Sequence, residues 1–179
     1  MKTVKVLVAA SMAAALLAGC GSKTDTDTFR FASELDIQGM DSTVVDDGMS
    51  YNAIHAITDG LTAVNEKGKT APAIAKSWDV SDDGKTYTFH LRDAKWSNGD
   101  KVTANDFVYS WRKIIKNAGN YAYMLGSEGA SVKNADALME LGTNATDEQM
   151  ATLGVTAKDD KTLVVELENK VPYFTDLMA

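Results

Sequence analysis

The chain of 179 residues has one cysteine, two histidines and no apolar run of membrane-spanning length, and each shortage excludes a class of protein. With Cys20 as the only thiol, no internal disulfide is possible. His55 and His90 lack cysteine or acidic neighbours at zinc-ligand spacing, so both read as ordinary side chains of a helix and a strand. There is no P-loop signature and no Gly-x-Gly-x-x-Gly after a strand, which argues against nucleotide binding. The Gly-x-Ser-x-Gly elbow of a serine hydrolase is missing, and Asp46-Asp47-Gly48 lacks the remaining acids of an EF-hand loop. Basic residues are outnumbered, 18 to 25, giving a net charge of −7 and a pI near 4.8. Such a surface suits neither nucleic acid nor a polybasic grip on anionic lipid. Trp78, Trp96 and Trp111 therefore read as core residues, not as platforms for stacked bases. Internal repeats are absent. No catalytic group, metal site or cofactor is predicted, and the chain reads as a non-enzyme.

What is present starts at the first residue. Met1-Lys2-Thr3-Val4-Lys5 is basic, and residues 6–18 are apolar apart from Ser11. That is the n-region and h-region of a signal peptide, too short for a bilayer span of about 20 residues. Leu17-Ala18-Gly19-Cys20 resembles the lipobox of bacterial lipoproteins. Small residues before the cysteine let the backbone enter a peptidase groove, and the thiol accepts a diacylglycerol. Agreement of all three regions favours this reading over a plain secretory leader or a buried amphipathic helix. It also accounts for the one odd cysteine of an exported protein. Cleavage after Gly19 removes Lys2 and Lys5, making the body more acidic and still of single-domain size. Two or more acyl chains at Cys20, at about 0.8 kcal/mol per buried methylene, give a stable membrane anchor.

Residues 21–28 are small and polar without an apolar period, which predicts a flexible tether. Phe29-Arg30-Phe31-Ala32 alternates as a short strand would, and residues 41–50 predict a loop centred on Asp46-Asp47-Gly48. Ile54, Ile57 and Leu61 recur at helical spacing, with Gly60 near the helix end. A turn is predicted over 65–69. A hairpin follows: Trp78-Asp79-Val80 enters an Asp83-Gly84 turn, and the return strand puts Tyr87, Phe89 and Leu91 on one face. After a turn at 96–100, Thr103-Ala104-Asn105-Asp106 has capping-box spacing, and Phe107, Trp111, Ile114 and Ile115 form one apolar stripe. Thr146-Asp147-Glu148-Gln149 opens a shorter helix, and residues 158–161 turn into a strand over 162–168. An apolar helical pattern begins at Val171, with Pro172 in its first turn, and breaks off at Ala179, as expected of a fragment. The irregular mixture predicts an α/β or α+β fold with a mixed sheet.

Three stretches carry a family resemblance. Ala71-Pro72-Ala73-Ile74-Ala75-Lys76-Ser77-Trp78, the run from Asp82 to Arg92, and the run from Ala94 to Trp111 together resemble the oligopeptide-binding receptors of ABC importers, the extracellular solute-binding family 5. Asp59-Gly60-Leu61-Thr62, Leu153-Gly154-Val155 and Val171-Pro172-Tyr173-Phe174 resemble further landmarks, so the likeness covers nearly all of the mature chain. Departures are Met40-Asp41-Ser42, where Leu-Asp-Pro is usual, and Asn120-Tyr121-Ala122, where Pro-Tyr-Ala is common. The resemblance implies a periplasmic-binding-protein-like class II receptor of two lobes, closing over an extended peptide and delivering it to a membrane permease. It implies that residues 29–58 begin the first lobe, that 59–179 form an extra subdomain returning toward that lobe, and that the second lobe is absent. It places Asp46, Gly48 and Tyr121 at the ligand.

The expected protein is thus a monomeric receptor, held by lipid at Cys20 on the outer face of a cell membrane, whose partners are an oligopeptide and the permease subunits. A receptor of the same scaffold for a nickel chelate, heme, a sugar or a pheromone peptide is the alternative, ahead of an envelope enzyme or adhesin. Few prolines and a lysine-rich body lean toward a single-membrane envelope. Replacing Cys20 with serine should release the protein into the medium, measured by fractionation, and leave the affinity of the complete receptor unchanged. Retention of the serine variant with the membrane would refute the anchor.

Overall fold

In the computed structural model, residues 32–179 are described, and Leu35–Ala179 forms one compact unit. The leader, Cys20, the tether and all but Ala32 of the expected opening strand lie outside the described residues.

Alternation builds the central sheet. Strands β3 (Ala75–Val80) and β4 (Thr86–Leu91) make the predicted hairpin. Gly84 takes φ +70° at its turn, a conformation that costs glycine no Cβ clash. Tyr87, Phe89 and Leu91 are buried on one face of β4. Strands β5 (Val155–Asp159) and β6 (Thr162–Glu166) form a second hairpin, and the sheet order is β3-β4-β6-β5. A smaller hairpin pairs β1 (Thr62–Val64) with β2 (Thr70–Pro72) around the predicted turn at 65–69. The mixture of helix and sheet is as expected. All these pairings are antiparallel instead of mixed, because hairpins make three of the four described pairs.

The segment between β4 and β5 supplies the helical layer. Asp106 accepts the Thr103 backbone N–H at 2.7 Å and starts α2 (Ala104–Lys116), numbered after the helix α1 (Gly48–Ile57). Helix α2 packs on β5 and β6. Its buried residues are Ala104, Val108 and Ile115, whereas Phe107, Trp111 and Ile114 are only partly covered. The predicted single stripe is therefore two flanks, one on the sheet and one left for another purpose. A 3-10 turn (Ala122–Leu125), α3 (Ala135–Leu141) and α4 (Asp147–Met150) complete the layer. In α4 the capping box is closed, with Thr146 and Gln149 bonding each other's backbone N–H at 2.8 and 3.2 Å.

Four expectations fail here. Helix α1 begins at Gly48, inside the predicted loop, because Asp47 caps it through the Ser50 N–H at 2.7 Å. It ends at Ile57, so Leu61 lies outside it and Ile57 is 72% exposed: the Ile54/Ile57/Leu61 spacing is not a core face. Trp96 sits on the tip of a turn closed by the Lys95–Lys101 bridge and is half-exposed, not core. Residues after Val171 form turns and a short 3-10 helix (Asp176–Met178) instead of an α-helix. That segment is held to β1 by the Thr62 hydroxyl, which donates to the Thr175 carbonyl at 2.7 Å. Phe174 is buried there against Tyr87, with ring centroids 4.5 Å apart.

Phe89 is fully buried at the centre of this core. Phe89→Ala should lower the unfolding free energy by about 3–5 kcal/mol, read from urea denaturation. Ile57→Ala should change it by less than about 0.5 kcal/mol. Equal effects of the two would contradict the assigned core.

Candidate functional site: a tyrosine-walled groove beside a clamped loop

Three parts of the chain, together with residues 60–61 and 177–179, converge on one groove. The first is the loop before α1. One oxygen of the Asp41 carboxylate accepts the Thr43 N–H at 3.0 Å and its hydroxyl at 2.7 Å. The Asp41 carbonyl accepts from the N–H groups of Val44 and Val45, each at 3.1 Å. An aspartate bonding backbone two residues on is a self-supporting turn. The other carboxylate oxygen meets the Lys113 ammonium of α2 at 2.6 Å. Lys113 first, then Thr43, hold the Asp41 carboxyl at about 2 instead of 3.8. The same bond pushes Lys113 up.

At the end of this loop, the Ser50 hydroxyl and N–H hold the Asp47 carboxyl below the usual carboxylate range. The Ser50 oxygen also accepts from the N–H groups of Gln38 and Gly39, at 2.9 and 3.2 Å. Oδ2 of Asp47 is buried and has no hydrogen-bond partner.

The second part is the turn after α2. A Cβ on Gly119 would lie 2.3 Å from the Thr43 carbonyl oxygen, so only glycine lets the loop rest there. Two residues on, the Tyr121 ring meets Tyr51 of α1 edge to face, with centroids 5.1 Å apart and an interplanar angle of 85°. Tyr123 stands 6.2 Å beyond. The Tyr51 hydroxyl donates to the Val45 carbonyl at 3.0 Å. Burial raises the Tyr51 phenol, and Tyr121, Asp46 and Asp47 raise it further.

The third part is the free flank of α2. Phe107, Trp111 and Ile114 join Tyr51, Tyr121 and Met124 around an open groove of about 550 Å³. This is a volume typical of ligand pockets, with an apolar lining and a few polar groups at its edge. His55 also borders it. Among the described residues, no three His, Cys, Asp or Glu side chains gather to hold a metal ion, and no helix is long and apolar enough to cross a membrane.

Of the residues singled out from sequence, Tyr121 lines the groove, whereas Asp46 and Gly48 are exposed on the adjoining segment and do not. Cys20 lies outside the described residues. Sequence reasoning missed Asp47, Tyr51 and Gly119. The spacing of Asp47 and Ser50 is that of an N-cap and its acceptor site, a signal that was available. His90 is bonded to Asp79 at 2.8 Å on the exposed side of the sheet, as an ordinary surface residue would be.

Comparisons with known proteins bear on this geometry. Residues 69–179 match the family described as bacterial extracellular solute-binding proteins, family 5 middle. A dipeptide-binding protein of Lactococcus lactis is 39% identical over the whole of this chain, which spans 32% of that protein's length. The substrate-binding domain of an oligopeptide ABC transporter from Bacillus anthracis superposes with a TM-score of 0.75 at 39% identity, over 83% of this chain and 28% of that one. Haemophilus influenzae OppA, in complex with the peptide RPPGFSPFR, superposes with a TM-score of 0.71 at 40% identity, over 79% and 27%.

The Asp41–Lys113 contact gives a pH-dependent test. Its contribution is complete above the free-carboxyl value of 3.8 and disappears as pH falls through about 2. Asp41→Asn should therefore lower the Tm at pH 7 by a few degrees, roughly 2–4 °C for so exposed a pair. Variant and parent should converge near pH 2. A constant difference from pH 7 to pH 2 would show that the pair does not titrate as described.

Proposed function

This chain belongs to the bacterial extracellular solute-binding proteins of family 5, and we propose that it is part of an extracytoplasmic receptor that captures oligopeptides for an ABC importer. The observation that carries the proposal is the superposition at 40% identity on a relative holding a peptide. The chain spans about a third of its curated relatives' length, so the receptor meant here is the complete protein.

In this reading, residues 29–58 begin the first lobe and 59–179 form the extra subdomain. Cys20 carries the lipid, residues 21–28 are the leash, and the cleft stays beside the permease instead of diffusing away. The body is acidic and remains soluble at the membrane surface.

Capture follows from backbone chemistry. An extended peptide presents N–H and C=O groups that are the same in every sequence, so affinity comes from main-chain hydrogen bonds. The loop at Asp46–Gly48, where Asp46 and Gly48 are exposed, supplies carboxylate and backbone contacts. Tyr121, braced by Tyr51, forms a rigid aromatic wall that accepts varied side chains. Waters in a roomy groove adapt to the rest. Ligand touching both lobes stabilises the closed form.

The full-length protein should show a Tm that rises with unmodified tetra- and pentapeptides, followed by differential scanning fluorimetry. Tyr121→Ala should weaken the binding by roughly tenfold, the loss of one aromatic contact, and lower the ligand-free Tm by only a few degrees through loss of the Tyr51 contact. If peptide libraries give no shift while a nickel chelate or a sugar does, the protein is a receptor for another solute.

A further inference from the structure

On the opposite flank of α2 from the tyrosine groove lies a second cavity, of about 490 Å³. It is lined by Asn105, Tyr109, Arg112 and Lys116 of α2 and bounded by Asp147 and Met150 of α4. Three cations follow one another on this flank, and two are paired: Lys113 with Asp41 at 2.6 Å and Lys116 with Asp147 at 3.1 Å. Arg112 has no ion pair among the described residues, and its Nε is buried without a hydrogen-bond partner. The Nε is enclosed by protein atoms, so a ligand in the cavity meets Arg112 through the rest of its guanidinium, whose charge no acid in the described residues neutralises.

We propose that this cavity is a binding site for a carboxylate carried on a peptide segment, with Arg112 as its anchor. The planar guanidinium fork matches a carboxylate in two parallel hydrogen bonds, which a lone carbonyl cannot satisfy. Lys116 is already paired with Asp147 at the cavity edge, so Arg112 carries the net positive charge, and the Asn105 side chain adds a donor. In a chain of net charge −7, a cavity with an unneutralised cation selects an acidic partner by complementarity. Size and lining argue for a peptide over a small anion. Val108 and Met150 give an apolar floor, and Tyr109, 70% exposed, gives an aromatic wall. Acetate would leave most of that volume and both apolar surfaces untouched. The site shares no lining residue with the tyrosine groove, and the proposal stands independently of the receptor reading.

The test uses the full-length protein labelled with 15N, following the Arg112 Nε–H resonance, assigned through its loss in Arg112→Lys. The probe is the capped peptide acetyl-Ala-Glu-Ala-Glu-Ala-amide, whose blocked ends remove free termini from consideration. Its Gln analogue and sodium acetate are the two comparison ligands. The Glu peptide should move the Arg112 resonance saturably, at concentrations at least tenfold below acetate, and the Gln peptide should leave it in place. Tyr121→Ala should not alter this response. Arg112→Gln should weaken Glu-peptide binding roughly tenfold or more, followed on the Tyr109 ring signals. Arg112→Lys, which keeps stem and charge but not the fork, should also weaken it and serves where the Gln variant does not fold. A static Arg112 resonance, an equal response to the Gln peptide, acetate saturating as readily, or undiminished binding by a folded Arg112 variant would each overturn the proposal.

Discussion

The carbonyl oxygen of Thr43 lies so close to Gly119 that no other residue could occupy that position, and the geometry of the groove follows from this contact. With the loop seated on the turn, Asp41 reaches across 72 residues of sequence to Lys113. The same seating brings α1 beside residues 119–123, so that Tyr51 meets Tyr121 at a right angle. One backbone approach, one ion pair and one aromatic contact thus tie an otherwise sparsely packed segment to the helical layer. The buried core lies elsewhere, between the sheet and α2.

This division of labour makes physical sense for a site. Helix α2 is rigid because Ala104, Val108 and Ile115 bury one flank against the sheet, and it presents Phe107, Trp111 and Ile114 on another without having to reposition them. The loop is held by polar and aromatic contacts that are individually weak, while its internal turn is fixed by Asp41 and the cap at Asp47. A binding surface built in this way is ordered before ligand arrives, which reduces the entropy lost on binding.

Local structure was legible wherever a residue's role depends on its near neighbours. Asp83-Gly84 specified its turn, Thr103 and Asp106 specified the start of α2, and alternation at Tyr87, Phe89 and Leu91 specified the buried face. Resemblance supplied the family and drew attention to Tyr121. What stayed hidden depends on contacts distant in sequence. Nothing near Gly119 signals Thr43, and nothing near Lys113 signals Asp41. Nor does the spacing of Phe107, Trp111 and Ile114 distinguish a groove wall from a core face. Asp46-Asp47-Gly48 misled because an Asp-Gly pair serves a turn and a helix cap equally well, and the Ser50 amide decided for the cap.

The claim at the centre of this account is that the paired tyrosines and the clamped loop contact the backbone of an extended peptide. Isotope-filtered nuclear Overhauser spectra of the full-length protein, bound to an unlabelled pentapeptide, address that contact directly. The account predicts cross-peaks from the Tyr121 ring to peptide Hα protons, retained when the peptide's side chains are exchanged. A bound peptide whose Hα protons contact other residues, and never Tyr121 or the 41–48 loop, would contradict it.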